Sequence, residues 1–470
     1  MILPPMGLFY VATYLKKSGI GVGIIDNEAE QLNINEVVCR ILSNKSTIVG
    51  FGPTTPEFFY AVTFAREIKK VIPKIKICFG GPHVSALPDE TMKNYNIIDF
   101  IVRHEGEETA LELTRALLSN NDFSSIFGLS FRNEKGEIVH NRDRDLQEKI
   151  DIFPWPDRGL ANYNFYDYSV PKKGMRPMMS VITARGCPFS CKYCYKPFKK
   201  KVRYRNPVDV VNEIEYWSYK YNYEYIVFLD ETFTFNKEHV LTICDEMIKK
   251  NLNHIPWWCM TRPAFISEEL LSKMKHAGCN MISIGVESGN QDMLRNMGKQ
   301  VNIKDYEEAY RLIKKYGIEA RASFIIGFPN ETEETFSQTL NFAKKLDIDR
   351  VSFNIMTPLP GTELFEMSLR GDGIKLLTTD WSQFTRWGNA VIETPALTAE
   401  RLEEMQEEAL TEFYLQPKVI ISHIIHYIKG ERDLFYYRPV LFALERKFRR
   451  ISLYRLFTSI LYKLFFKNET

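Results

Sequence analysis

Residues 185–197 read Arg-Gly-Cys-Pro-Phe-Ser-Cys-Lys-Tyr-Cys-Tyr-Lys-Pro. Three thiols, Cys187, Cys191 and Cys194, stand at Cys-x3-Cys-x2-Cys spacing and can face one metal centre from a single loop. Soft sulfur ligands suit zinc or an iron–sulfur cluster. A structural zinc site takes four protein ligands, yet the next His and Cys are His239 and Cys244, far along the chain. A 4Fe–4S cluster can take three thiolates and leave one iron open to a ligand. A zinc knuckle or an incidental group of thiols is the bland alternative.

Outward from the loop, the chain alternates strand and helix. Residues 178–184 are apolar and rich in β-formers, so they read as a buried strand ending at the cysteines. Further strands are expected at 225–229, 257–261, 281–286, 321–326 and 351–356. Helices are expected near 207–222, 237–250, 267–277, 303–316 and 332–345. Six strand–helix units predict a parallel barrel or part of one, with its chemistry at the C-terminal strand ends. The polar residues at those ends are Asp230 and Glu231, Glu287 and Ser288, and the stretch from Gly327 to Glu331.

The cysteine loop, with Tyr193 before its last Cys, resembles that of the radical S-adenosylmethionine (SAM) enzymes, and the likeness extends over roughly residues 176–370. Gly-Val-Glu-Ser-Gly-Asn (285–290) looks like that family's fourth-strand motif. Phe-Ile-Ile-Gly-Phe-Pro-Asn-Glu-Thr (324–332) looks like its fifth-strand motif, and Pro-Leu-Pro-Gly-Thr (358–362) like the loop after the sixth. The resemblance implies a 4Fe–4S cluster on Cys187, Cys191 and Cys194, with SAM chelated to the open iron. It places Tyr193, Asp230, Glu231, Glu287, Ser288, Gly327 and Pro329 around SAM. Reductive cleavage of SAM then gives methionine and a 5′-deoxyadenosyl radical, which abstracts hydrogen from a substrate. The lesser alternative for Glu287 and Asp230 is a pair of structural strand-end carboxylates, and Gly327 and Pro329 read nearly as well as plain turn formers.

Residues 1–150 carry a second alternation, with short strands expected at 22–25, 47–51, 75–79 and 99–102. This is the pattern of a doubly wound, Rossmann-like sheet, whose ligands sit at the C-terminal strand ends. There lie Gly-Pro-Thr-Thr-Pro (52–56), Gly-Gly-Pro-His-Val (80–84) and Arg-His-Glu-Gly-Glu (103–107). These segments, with Pro-Pro-Met-Gly (4–7), resemble the cobalamin-binding domain that precedes the barrel in one large radical SAM subfamily. The resemblance places Thr54, Thr55, Gly80, Gly81, His83, Glu105 and Gly106 at the cobalamin. The Asp-x-His-x-x-Gly motif that supplies a cobalt-ligating His elsewhere is absent. So is the strand this family carries before its Pro-Pro, and that loss is expected to leave ladder groups and apolar helix faces open.

The remainder bounds the reading. The chain has 470 residues, 61 Lys and Arg against 59 Asp and Glu, 45% apolar and 26% charged residues. That is an ordinary globular composition for about three domains. It excludes disordered, collagen-like and disulfide-stapled classes, and its charge is too even for a nucleic-acid coat. Eight dispersed Cys point to reduced thiols in a cytosol. Cys39, Cys78, Cys244, Cys259 and Cys279 read as core thiols. No apolar run approaches the roughly 18 residues of a membrane span, and no secretory signal is visible at the start. Residues 151–175 read as a linker and 371–470 as a mainly α-helical region, with Thr398 a candidate N-cap. Residues 441–467 are apolar and basic. They read as a helix packed on the protein or as one lying on an anionic membrane.

The fold class is therefore α/β. A doubly wound cobalamin-binding domain lacking its first strand (1–150) precedes a partial (β/α)6 radical SAM barrel (176–370) and the helical region. The expected protein is a cobalamin-dependent radical SAM enzyme acting on a small molecule, most commonly by C-methylation, with flavodoxin or ferredoxin as electron donor. Oxidative cyclisation, a SAM-only enzyme with a vestigial first domain, and a non-catalytic cluster or corrinoid carrier are the alternatives.

Overall fold

A computed structural model describes residues 3–119, 121–162, 166–170 and 174–428. The basic stretch 441–467 lies outside the described residues.

The N-terminal sheet contains β1 (Ile48–Phe51), β2 (Lys76–Phe79) and β3 (Phe100–Val102), all parallel. A hairpin, β4 (Leu129–Arg132) and β5 (Ile138–His140), extends it antiparallel. The strand expected at 22–25 does not form, and residues 19–26 carry no ladder. In a doubly wound order the first strand would lie between that stretch and β1. Among the described residues the backbone there has no neighbour to pair with. β1 accordingly becomes an edge, half-exposed where β2 and β3 are buried.

The second sheet is an open half-barrel. Its members are β6 (Asp167–Val170) and β7 (Gly174–Val181), then, after a short ribbon of β8 (Ala184–Arg185) with β9 (Arg203–Tyr204), β10 (Tyr225–Phe228), β11 (Trp257–Thr261), β12 (Cys279–Glu287), β13 (Glu319–Ile326) and β14 (Arg350–Ile355). The order is β14-β13-β12-β11-β10-β7-β6, with all neighbours parallel except β6. The six expected strands are all present, and β6 is an addition at one edge. The helices between them start where the sequence supplies caps. Asn206 accepts from Val208 N ahead of Pro207, Ser267 from Leu270 N, and Thr332 from Thr335 N. Such caps each stabilise a helix by about 1 kcal/mol.

Alternation divides each barrel strand. Ile226, Phe228, Trp257, Cys259, Ile282, Ile284, Ala322, Phe324 and Phe353 pack under the helices. Met178, Tyr225, Val227, Trp258 and Met281 form a separate apolar cluster on the concave side, joined by Leu3. Four of the five remaining thiols are buried as expected. Cys39 is exposed instead, because the helix Ile34–Ser43 turns Val37, Val38 and Ile41 inward and leaves position 39 outside.

The segment after residue 150 is anchored firmly. Arg158 is 1% exposed and donates to Ser180 O at 2.6 Å and to Glu213 Oε1 at 3.2 Å. Arg205 holds the other Glu213 oxygen at 2.6 Å. From the far side, Trp381 packs against both the barrel core and the N-terminal core, edge-on to the His83 ring at 5.1 Å. Thr398 caps the helix Ala399–Tyr414, and Tyr414 of that helix bonds both the N–H and the C=O of Val351 on β14. Among the described residues no helix is long and apolar enough to cross a membrane.

Candidate active site

The strand-end loops of the two sheets meet. Arg185, just before the cysteines, pairs with Glu105 at 2.8 Å and Glu107 at 2.6 Å, and Arg203 pairs with Glu105 at 2.8 Å. The Arg185 guanidinium also lies over the rings of Tyr10 and Phe153, at 4.7 and 4.9 Å. Tyr195, one residue past Cys194, hydrogen-bonds Ser85. A β-carbon on Gly361 would strike the Tyr195 ring at 2.7 Å and Ala86 at 2.9 Å. Gly361 has φ +79°, so its bareness and its backbone together permit this close approach.

The cysteine loop is braced from β11 and β12. Lys192 N–H donates to Met297 O at 3.0 Å. Arg262, following β11, is buried, directs Nη1 at Cys191 Sγ over 3.7 Å and stacks 3.7 Å above the Phe189 ring. Cys187 Sγ lies 3.9 Å from Thr232 Oγ1. Among the described residues no three Cys, His, Asp or Glu side chains converge as a single metal ion requires. Three thiols on one loop, with no fourth Cys or His nearby in sequence, are the donor set of a cluster that keeps one iron open. Burial, then the neighbouring Cys191 and Cys187, push the Cys194 thiol up to about 11. Iron cations at the loop would offset that cost and hold the sulfurs as thiolates. The three residues fit a 4Fe–4S cluster.

Around them the structure sorts the expected SAM residues. Tyr193 hydrogen-bonds Cys191, and burial followed by the Glu287 charge raises its hydroxyl pKa. Glu287 ends β12 in a left-handed conformation (φ 70°), buried and paired with Lys299 Nζ at 2.7 Å. Lys299 also bonds Gly285 O. Asp230 Oδ1 accepts from Thr183 N at 2.9 Å and from Ala184 N, tying the end of β10 to the strand before the cysteines. Its Oδ2 is buried without a hydrogen-bond partner. Burial, with Glu231 adding, lifts its pKa to about 7. Such an orphaned oxygen would be satisfied by a cationic group such as an ammonium. Glu231 is exposed beside it. Ser288 turns away, bonding Thr339 Oγ1 at 3.0 Å. Gly327 and Pro329 are both buried, and Gly327 N–H bonds Glu331. Glu331 is fully buried with Oε1 unpartnered, and burial raises its pKa to about 8.

The expected cobalamin residues divide likewise. Thr54 is exposed, and Gly80, Gly81 and Gly106 are half-exposed, giving a shallow, neutral surface. Side chains at Gly81 and Gly106 would press on Pro53 O at 3.2 Å and on Val11 at 3.3 Å, so that surface stays flat only without them. It fits a broad planar ligand. His83 is a core residue instead. The helix beginning at Pro82 swings its ring inward, 4.2 Å from the Phe58 ring, with Nδ1 3.4 Å from buried Thr55 Oγ1. Burial lowers the His83 pKa to about 4. Glu105 is committed to Arg185 and Arg203. His104 lies 3.5 Å from Asp143.

Arg262 and Lys299 were not anticipated. The only sequence signal for Arg262 was its parity with Trp258 and Met260 on β11. Lys299 carried none, because its meeting with Glu287 depends on how the helix Gln291–Asn296 folds back.

A radical SAM superfamily model matches residues 181–343, and a B12 binding domain model matches residues 1–114. An uncharacterized methyltransferase of Pyrococcus horikoshii is 35% identical over 426 residues, 90% of each chain. An anaerobic magnesium-protoporphyrin IX monomethyl ester cyclase of Rubrivivax gelatinosus is 31% identical over 371 residues, 77% of this chain and 66% of that one. The fold is similar to that of the radical SAM methyltransferase TsrM of Kitasatospora setae, solved with cobalamin and a [4Fe-4S] cluster (TM-score 0.68, 19% identity, 89% of this chain and 87% of that one). It is also similar to that of the cobalamin-dependent SAM radical enzyme OxsB (TM-score 0.72, 17% identity, 98% and 73%). The chain belongs to the cobalamin-dependent radical SAM family, whose cofactors are a 4Fe–4S cluster, SAM and cobalamin.

Proposed function

We propose that this family member methylates an unactivated carbon of a small-molecule substrate. The observation that supports this is the abutment of the cysteine loop on the bare-glycine loops of the N-terminal sheet, through Arg185, Tyr195 and Gly361. When bound, the cofactors supply the electron, the radical and the transferable methyl group.

The chain's own residues do the rest. Cys187, Cys191 and Cys194 would hold the cluster. Tyr193, Asp230, Glu231 and Glu287 would surround SAM. Lys299 holds Glu287 in place through its 2.7 Å pairing. Ser288, Gly327 and Pro329 would shape the wall from behind, through Thr339 and Glu331. Thr54, Gly80, Gly81 and Gly106 would carry cobalamin, with Thr55 and His83 supporting them from the core. The ion pairs of Glu105 and Glu107 would keep the two halves closed and water out. The working division is 1–150 for cobalamin, 151–175 as connector, 176–370 for the barrel and 371–470 as the helical region. Flavodoxin or ferredoxin is the proposed electron donor. The helix Pro417–Ile428 exposes Ile421, Ile424 and Ile425, which favours a peripheral membrane contact shared with residues 441–467.

A second reading, oxidative cyclisation, is favoured by the 31% identity to the magnesium-protoporphyrin cyclase. The test is anaerobic purification from cobalamin-fed cells, with iron, sulfide and cobalamin assayed per chain. Turnover with methyl-labelled SAM follows, reading 5′-deoxyadenosine and label in product. Label in product supports methyl transfer. 5′-Deoxyadenosine with an unlabelled oxidised product supports cyclisation, and a chain without cobalamin overturns both.

A further inference from the structure

The inner wall of the half-barrel rises through several levels, of which the two lowest contrast. The lower is sealed: Met178, Tyr225, Val227, Trp258 and Met281 are 5% exposed or less. One step toward the strand ends, Met260, Ser283, Arg321 and Arg350 stand side by side in register on β11 to β14. All four are half-exposed, as is Leu229 next to them, whereas the residues between them on each strand are buried under the helices. The wall therefore bounds an open chamber above an apolar floor.

That chamber is chemically divided. Leu229 and Met260 make one side apolar. On the other side two guanidinium-bearing residues are direct lateral neighbours. Glu319 meets Arg350 at 2.9 Å. The Arg321 backbone carbonyl accepts from the Tyr310 hydroxyl at 3.1 Å, but its guanidinium has no hydrogen-bond or ion-pair partner among the described residues. A half-buried, unpaired guanidinium beside a second arginine is poorly placed unless an anion joins it.

We propose that the chamber binds an amphiphilic substrate, with its apolar part against Leu229 and Met260 and a carboxylate or phosphate on Arg321. This rests on the radical SAM reading above, in which the reacting carbon faces the cysteine loop at the strand ends. Arg321 sits below Ser323 and Ile325 on the same face of β13, away from those ends, so its ligand is the substrate rather than SAM.

The test uses the anaerobic holoenzyme with SAM present, and hexanoate, hexyl phosphate and hexanol as probes in calorimetric titrations. At least one anion is expected to bind about ten-fold more tightly than hexanol, the worth of one charged hydrogen-bonded contact. The stronger of the two anions identifies the group. Arg321→Met should erase the preference and Arg321→Lys should keep part of it, with SAM affinity unchanged in both. Equal binding of hexanol, an undiminished preference in Arg321→Met, or a parallel loss of SAM affinity would each overturn the proposal. Unfolding temperatures show whether the variants are folded. Iron, cobalamin and 5′-deoxyadenosine are assayed on the same samples. Their absence would count against the enzymatic reading, while the probe affinities report on the chamber alone.

Discussion

Nη1 of Arg262 lies 3.7 Å from Sγ of Cys191, held there by the Phe189 ring beneath it. A buried cation at a cluster thiolate favours the more negative, reduced state of the cluster. Arg262→Gln is therefore expected to lower the cluster's midpoint potential, and Arg262→Lys to lower it less. Redox titration followed by electron paramagnetic resonance reads both, with iron per chain confirming that the cluster is retained. An unchanged potential would remove the charge from the explanation.

Glu213 sits between Arg158 and Arg205, with all three side chains 4% exposed or less. Removing one member of a buried ion group typically costs about 3–5 kcal/mol, because the others remain charged and unpaired. Glu213→Gln should lower stability by that order in chemical unfolding. A loss below about 1 kcal/mol would mean that water or relaxation reaches the pair.

Glu331 gives a pH signature. Its folded pKa, about 8, stands above the ordinary carboxyl value of 4.5. Between those values the folded chain holds a proton that the unfolded chain has released, so stability falls as pH rises. The slope is at most about 1.4 kcal/mol per unit and flattens above about pH 8. Asp230 acts in the same direction up to about 7. Glu331→Gln should flatten the fall between about pH 7 and 8, measured as unfolding free energy against pH. A wild-type curve that rises through this window would contradict the burial described.

Gly361→Val would put a branched side chain into Tyr195 and Ala86 at a left-handed position. The backbone alone costs about 1–2 kcal/mol. The expected result is a protein with its iron retained but cobalamin reduced, read by the corrin absorbance beside an iron assay. Equal loss of both would indicate general misfolding instead.

The barrel was legible because each strand is a short apolar run and each helix brings its own cap. Thr332 and Ser267 sit where the expected helices begin. The cysteine triplet stood out because its three thiols are local in sequence. The stretch 22–25 has the composition of a strand and forms none, since a strand exists only with a partner and sequence pattern does not count partners. His83 and Glu105 sit in loops that look ligand-facing. One turn of helix and two distant arginines send them elsewhere. Arg262 and Arg321 escaped because charge on a concave wall depends on register between strands far apart in sequence, and Lys299 because a helix must fold back to bring it to Glu287.

Trp381 closes the N-terminal core from the other end of the chain. A growing polypeptide makes the helices of that core early and the indole that covers them late. The first third can condense on the ribosome, yet its apolar seam stays uncovered until the barrel is complete and residue 381 has emerged. A chain cut short before residue 381 would leave the His83 ring without its indole cover.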